Sequence, residues 1–252
     1  MAWLNQTDEF QTHWYQSPVL GIAAQMGQHD SGTHMHEMGQ LLFTQQGCIR
    51  ISLDNRLSLL PPGRVAWIPP FVRHRAQMRA SVGYRSIYLS EKYAEKVGDD
   101  VVILSISPLL RELLERIAIA PFDSDWQKGR LANLLPVFID ELQAATTEPT
   151  LLSLPQDRRF NRLDIEQLPP NLNQLAQNIG ASEKTITRIF LKETGMTYQT
   201  WRQQWRFMKA VELLAQGKPY YFITQELGLT SDSAFISFFR KMSGMTPREY
   251  QQ

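Results

Sequence analysis

Cysteine is almost missing from this chain: among 252 residues, Cys48 is the single thiol. One thiol cannot close an internal disulfide or build a cysteine-ligated zinc finger, and such usage fits a reducing cytoplasm. Long apolar runs are missing too. No stretch approaches the roughly 20 consecutive apolar residues that a membrane-spanning helix needs. The opening segment, Met1-Ala2-Trp3-Leu4-Asn5-Gln6, has no basic stretch followed by an apolar core, so it does not read as a signal peptide. Net charge is small, +1 overall, but it is unevenly placed. Residues 1–156 carry 13 Lys+Arg against 16 Asp+Glu, giving −3, and residues 157–252 carry 13 against 9, giving +4. A basic C-terminal part beside an acidic N-terminal part suits a nucleic-acid module joined to something else. The length allows one large domain or two modest ones with cores of their own.

What is present in abundance is an echo. Leu175-Ala176-Gln177-Asn178-Ile179-Gly180-Ala181-Ser182 is repeated in kind by Ile223-Thr224-Gln225-Glu226-Leu227-Gly228-Leu229-Thr230-Ser231. After each Ser comes a second helical run, Glu183 to Glu193 and Asp232 to Met242. Each run closes on Gly-Met-Thr, at Gly195-Met196-Thr197 and Gly244-Met245-Thr246. A fixed-offset repeat means one supersecondary unit used twice. The spacing predicts helix-turn-helix in both copies: Gly leaves the first helix in a left-handed conformation, and Ser caps the second. Ile186, Ile189 and Phe190 fall on one face, as do Phe235, Phe238 and Phe239. The faces left outside, with Glu183, Lys184, Thr187, Arg188 and Leu191, then Asp232, Ser233, Ile236, Ser237 and Arg240, have the form of helices that enter a DNA major groove. Between the copies, Tyr198 to Gln216 reads as one long helix with Trp201, Trp205, Met208, Val211 and Leu214 along one side. It places Arg202, Arg206 and Lys209 toward solvent. Two recognition helices fixed on one face about 34 Å apart would enter successive major grooves. Arg158 to Leu168 reads as a short lead helix stopped by Pro169-Pro170, and Asn171 or Asn173 as the cap that follows it.

The first part reads differently. From Val19 to Ile106, short strands alternate with turns, as in Gln40 to Thr44, Ile49 to Leu53, Arg64 to Ile68 and Arg85 to Leu89. That pattern predicts a sandwich or small barrel. Two apolar helical stripes follow, on Leu109, Leu110, Leu113, Leu114 and Ile117, and on Leu131, Leu134, Leu135, Phe138, Ile139 and Leu142. Pro108 marks a helix start, and Pro136 either kinks the second helix or marks its true start. The stripes serve to cover the barrel or to pair two copies of the chain, and a DNA reader needing two half-sites favours pairing. Gln143 to Gln156 loses helical period and reads as a linker, which sets the expected domains at 1–156 and 157–252.

Within the strands, His34-Met35-His36, Gln40, Gly47, and then Pro69 with His74, resemble the two signature segments of cupins. In that family HxH, a Glu four residues on and a later His place metal ligands inside a barrel. Here Gln40 stands at the carboxylate position and Phe71 at that of a Gly. Two readings stay open: His34, His36 and His74 as ligands of a divalent metal, or hydrogen-bonded His lining a pocket. His34, His36, Gln40, Trp67 and His74 are the candidate effector-pocket residues, with Phe43, Tyr84 and Tyr88 as aromatic lining. Arg50, Arg73, Arg75 and Arg79 would meet an anionic effector or form a solvated strand face.

The residues Trp201-Arg202, Arg206, Ala210, Leu213-Leu214, Gly217, Ser233-Ala234-Phe235, Phe238-Phe239-Arg240, Gly244, Thr246-Pro247 and Tyr250 resemble the DNA-binding domain of AraC/XylS-type transcription regulators, over nearly all of 157–252. The first domain is similar, more loosely, to that family's cupin-like sensor domains. The resemblance implies a mixed α and β chain: a cupin-like β-barrel plus two helices, then an all-α domain with two helix-turn-helix motifs. It implies a cytoplasmic, non-enzymatic regulator that binds double-stranded DNA at promoters, responds to a small-molecule effector and dimerises through the helices after the barrel. By position, base contacts fall on Glu183, Lys184, Thr187 and Arg188, and on Asp232, Ser233, Ile236 and Ser237. Arg240 and Lys241 would meet phosphates. Thr224 departs from the family's usual Ala, and its hydroxyl needs a partner. The alternative function is a metal-dependent cupin enzyme with a helical appendage.

Overall fold

A computed structural model describes residues 2–5, 10–79, 81–148 and 150–251. Met1 and Gln6 of the opening segment, and Pro149 of the expected linker, lie outside them. The chain divides into two compact units, one of residues 1–53 and 60–149, the other of residues 54–59 and 150–252.

The first unit carries β1 (Trp3–Leu4), β2 (Val19–Met26), β3 (His29–Asp30), β4 (Gly39–Thr44) and β5 (Ile49–Ser52). After β6 (Arg56–Leu60) it continues with β7 (Arg64–Ile68), β8 (Arg75–Met78), β9 (Val82–Leu89), α1 (Glu91–Val97) and β10 (Val102–Ser105). It ends on α2 (Pro108–Ala118), α3 (Gly129–Ala144) and β11 (Thr147–Glu148). Seven strands form one sheet in the order β1-β2-β9-β4-β7-β10-β11, with β1 parallel to β2 and the remaining pairs antiparallel. Strand β8 pairs with β5 and β3 in a second sheet. The expected mixed architecture is present, and within it the strands form two sheets, not a closed barrel.

The period-2 alternation of the large sheet sends its two faces to different duties. Val19, Leu41, Phe43, Val65, Trp67, Ile87 and Leu89 share one buried cluster with Leu110, Leu113, Leu114 and Ile117 of α2 and Leu135, Phe138, Ile139 and Leu142 of α3. Full burial of each such side chain stabilises by about 1.5–3 kcal/mol, so the two stripes are spent on covering this face. Helix α2 comes so close that a Cβ on Gly21 would lie 2.2 Å from the Ile117 carbonyl oxygen. It starts at Pro108 as expected, and the structure adds Ser107 as its cap. Pro136 lies inside α3, which runs on through it. The other face carries Leu20, Ile22, Tyr84 and Tyr88.

The second unit joins β6 to β12 (Leu151–Ser153) as an antiparallel pair, Ser58 opposite Leu151. Its other regular elements among the described residues are the helices α4 (Leu172–Ile179), α5 (Glu183–Thr194), α6 (Tyr198–Ala215), α7 (Tyr220–Glu226), α8 (Asp232–Ser243) and α9 (Pro247–Tyr250), with one 3-10 turn. The expected lead helix is a correction: residues 158–160 form one 3-10 turn and 161–171 are irregular. The reason lies in where the carbonyls go. Trp205 Nε1 donates to Ile165 O at 2.9 Å, Arg202 Nε to Pro169 O at 2.6 Å and Tyr198 Oη to Pro170 O at 2.6 Å. Trp201 Nε1 likewise donates to Ser153 O at 2.7 Å. The segment is a strap tied to α6 by side-chain donors. No helix among the described residues is long and apolar enough to cross a membrane.

Candidate nucleic-acid interface and effector cavity

The two repeats fold with the same devices. Asn171 caps α4 in a reciprocal capping box with Gln174. Gly180 leaves that helix at φ +63°, and Gly228 follows α7 at φ +61°. Ser182 Oγ accepts the Thr185 amide at the start of α5, and Ser231 Oγ accepts that of Ala234 at the start of α8, both at 3.2 Å. Helices α5 and α8 end on left-handed Gly195 and Gly244. Inward, Ile186, Ile189 and Phe190 are buried, as are Phe235 and Phe239, while Phe238 is half-buried. Outward, Glu183, Lys184, Arg188, Asp232, Ser233, Ser237, Arg240 and Lys241 are exposed, and Thr187 and Ile236 half-buried.

Two details depart from a simple surface reading. The hydroxyl of Thr224, buried in α7, donates to Asp232 Oδ1 at 2.9 Å. The residue that replaces a small Ala therefore has its partner on the neighbouring helix of its own repeat, and Asp232 is tied to α7. The basic residues of α6 are also not a free solvent stripe. Arg202 holds the strap, Lys209 Nζ meets Glu212 Oε2 at 2.8 Å with both groups mostly buried, and burial holds half-buried Arg206 below its usual pKa.

In the first unit a cavity of about 200 Å³ opens between the two sheets. Ile22, Ala24 and Met26 of β2, Tyr84 and Tyr88 of β9, Gln40 of β4, Ala76 and Met78 of β8, and His34 and His74 line it. Trp67 and Phe43 do not: they point to the helix-covered face, where Trp67 Nε1 donates to Gly98 O at 2.7 Å. Parity explains the division, because Tyr84, Ser86 and Tyr88 alternate with Arg85, Ile87 and Leu89. That alternation was readable in β9, whereas Met26 and Met78 carried no signal without knowing which strands face each other. None of Arg50, Arg73, Arg75 and Arg79 lines the cavity; Arg75 Nε is hydrogen-bonded to Asp30 Oδ1 at 2.7 Å.

The three His come together. His34 and His74 exchange backbone hydrogen bonds at 2.9 Å in an isolated antiparallel bridge. His36 is held by its carbonyl, which accepts from Phe71 N at 2.8 Å. One ring nitrogen from each lies within 4.8 Å of the others, so the trio has the composition and spacing of a metal-holding group. Burial is the main cause that lowers the pKa of His36 and takes that of His74 to about 4, keeping both rings neutral at pH 7. Gln40 is buried and donates from Nε2 to Ser86 Oγ at 2.8 Å and Tyr88 Oη at 3.1 Å. Phe71, in the Pro69-Pro70-Phe71 turn beside the trio, has φ +61°.

A two-sheet domain with a small cavity, attached to a duplicated helix-turn-helix whose second helices face outward, defines a ligand-sensing DNA-binding regulator. Comparison with known proteins agrees. Residues 17–172 match the model of the AraC-like ligand binding domain and residues 175–252 that of a helix-turn-helix domain. The chain belongs to the AraC family of DNA-binding transcription regulators. It is 29% identical over 226 residues to the HTH-type transcriptional regulator NimR of Escherichia coli (strain K12), covering 87% of this chain and 82% of that one. It is 23% identical over 231 residues to the virulence regulon transcriptional activator VirF of Yersinia enterocolitica, covering 88% and 83%. Among solved structures it is similar to ToxT from Vibrio cholerae, with 11% identity, coverage of 93% and 98%, and a TM-score of 0.38, a level that says nothing about function. These full-length relatives are regulators, and the cupin-enzyme alternative has no support among them.

Proposed function

We propose that residues 157–252 read an operator through both repeats, with unequal shares, while residues 1–156 sense the effector and carry the linker. The outward face of α5 supplies Glu183, Lys184, Thr187 and Arg188. Arg188 is the side chain suited to a guanine edge, to which a guanidinium donates twice. The outward face of α8, with Asp232, Ser233, Ile236 and Ser237, has no cation in its first two turns. The second repeat acts mainly through Arg240 and Lys241 on phosphates. The small-molecule effector occupies the cavity lined by Gln40, His34, His74, Tyr84 and Tyr88, with His36 beside it, and Trp67 supports the sheet from behind. Two chains pair through the outer sides of α2 and α3, where Leu109, Ile119 and Val137 are exposed, and the regulator works in the cytoplasm.

The observation that carries this reading is the matched construction of α5 and α8: same cap, same left-handed exit and apolar residues at the same three inward positions, with cations in the first two turns of α5 and none there in α8. Selection of bound genomic duplexes by the purified chain tests it. Arg188→Ala should cost about 1–3 kcal/mol on the selected duplex and relax preference at one base pair. Lys241→Ala should weaken all duplexes alike and flatten the salt dependence by about one phosphate contact. Equal losses from both changes on random and selected DNA would sink the division of labour.

A further inference from the structure

We infer that the strap of residues 161–171 fixes the separation and twist of the two repeats, with Leu168 and Trp205 as its positioning residues, and so sets which operator spacing the chain accepts. The inference rests on the reading that both repeats engage one duplex, and it adds the residues that hold them in register. Each repeat carries its own caps and turns, but such local devices cannot orient one copy against the other. Both copies pack on α6, the first through α5 and the second through α7 and α8. Long helices are rarely straight, so α6 alone leaves the angle between its two ends loosely defined. A second connection is needed to make the pair stiff.

Three observations make the strap that connection. First, Tyr198, Arg202 and Trp205 follow one another by four and three residues, which puts them on one face of α6. Their donors meet the carbonyls of Pro170, Pro169 and Ile165 in reverse chain order, so the strap runs antiparallel along about two turns of the helix. Second, Pro169 and Pro170 have no amide hydrogen and a fixed φ, and Leu168, which precedes them, is kept extended. The strap therefore offers acceptors there and cannot wind up and shorten. Third, the strap meets both repeats. It enters α4 through the Asn171 cap, and Leu168 covers the turn of the second copy. A Cβ on Gly228 would lie 2.8 Å from Leu168 Cδ2 and 3.8 Å from Arg206 Nη2. The equivalent atom on Gly180 would have nothing within 4 Å among the described residues. Both glycines have the same left-handed backbone, at φ +61° and +63°, so the turn itself does not require the cover.

One inserted base pair moves a half-site by about 3.4 Å and turns it by about 35°; a stiff pair of repeats then loses the contacts of one copy, whereas a loose pair follows. The test measures binding of the full chain to the duplex it selects and to the same duplex with one base pair inserted between the stretches covered by α5 and α8. Footprints of Arg188→Ala and Lys241→Ala chains locate those stretches. The parent should prefer the original spacing by about tenfold or more, since a single wrong base pair already costs about fivefold or more. Leu168→Ala removes only the cover on Gly228, and Trp205→Phe keeps a ring and loses the bond to Ile165. Each should cut the preference to about a third of the parent's or less, because the repeats are no longer held in one arrangement. Leu168→Met, which keeps the cover, should retain the parent's preference. So should Thr246→Ala, which removes the cap of α9, because lost stability alone weakens binding to both duplexes alike. Leu168→Ala and Trp205→Phe chains that discriminate as sharply as the parent would overturn the strap and leave the two-repeat reading in place. A parent indifferent to the insertion would also overturn the strap; the two-repeat reading falls with it only if Lys241→Ala binds both duplexes as the parent does.

Discussion

The bond between Thr224 and Asp232 is the contact at which the fold and DNA reading are hardest to tell apart, and a double-mutant cycle separates them. Thr224 is 6% exposed, and its Oγ1 donates to the carboxylate of Asp232 at 2.9 Å. A hydrogen bond to a charged acceptor contributes about 1.5–3 kcal/mol when shielded, but Asp232 is exposed at the head of α8, so about 1 kcal/mol is the expected share. Asp232 also sits in the first turn, where a negative charge adds about 0.3–1 kcal/mol. Asp232→Ala should therefore lose about 1.5 kcal/mol. Thr224→Val, which keeps shape and removes the donor, should lose about 1 kcal/mol. The double variant should lose little more than Asp232→Ala, leaving a coupling of about 0.5–1 kcal/mol. Urea unfolding of the full chain measures the cycle. Operator binding by the same four proteins gives the second reading. If the bond positions α8, both single variants weaken the selected duplex similarly. If Asp232 reads a base, Asp232→Ala alone changes preference at one pair. Additive losses, with coupling below about 0.3 kcal/mol, would refute the link between the two helices.

Two further outcomes probe the first unit. A methyl on Gly39 would lie 2.1 Å from Cη2 of Trp67, a fully buried ring. Gly39→Ala should destabilise by about 2–4 kcal/mol through overpacking and loss of the indole bond to Gly98; a urea midpoint within error of the parent would contradict the packing. Phe71, 63% exposed at φ +61°, carries about 1–2 kcal/mol of left-handed strain, and glycine brings back about 0.5–1 kcal/mol of chain entropy. Phe71→Gly should raise stability by up to about 1 kcal/mol in thermal unfolding, and a lowered midpoint would show that its ring contributes contacts instead.

The sequence alone determined the elements whose cause is local. Gly180, Ser182, Gly195 and their counterparts Gly228, Ser231 and Gly244 set helix exits and caps through their own backbone and side chains, so both helix-turn-helix motifs were legible with their inward faces. The α2 and α3 stripes were legible for the same reason. What only tertiary structure decided concerns partners far apart in the chain. The segment after Arg158 has helical spacing, yet donors from Tyr198, Arg202 and Trp205, some 30–40 residues away, take its carbonyls and leave a strap. Trp67 has the chemistry of a pocket aromatic, and the pairing of β4 with β7 turns it to the helical face beside Leu41. The three His meet because a bridge joins His34 to His74 across 40 positions. Local spacing sets which way a side chain points along its own element, whereas the company it keeps depends on which distant segment the fold lays beside it.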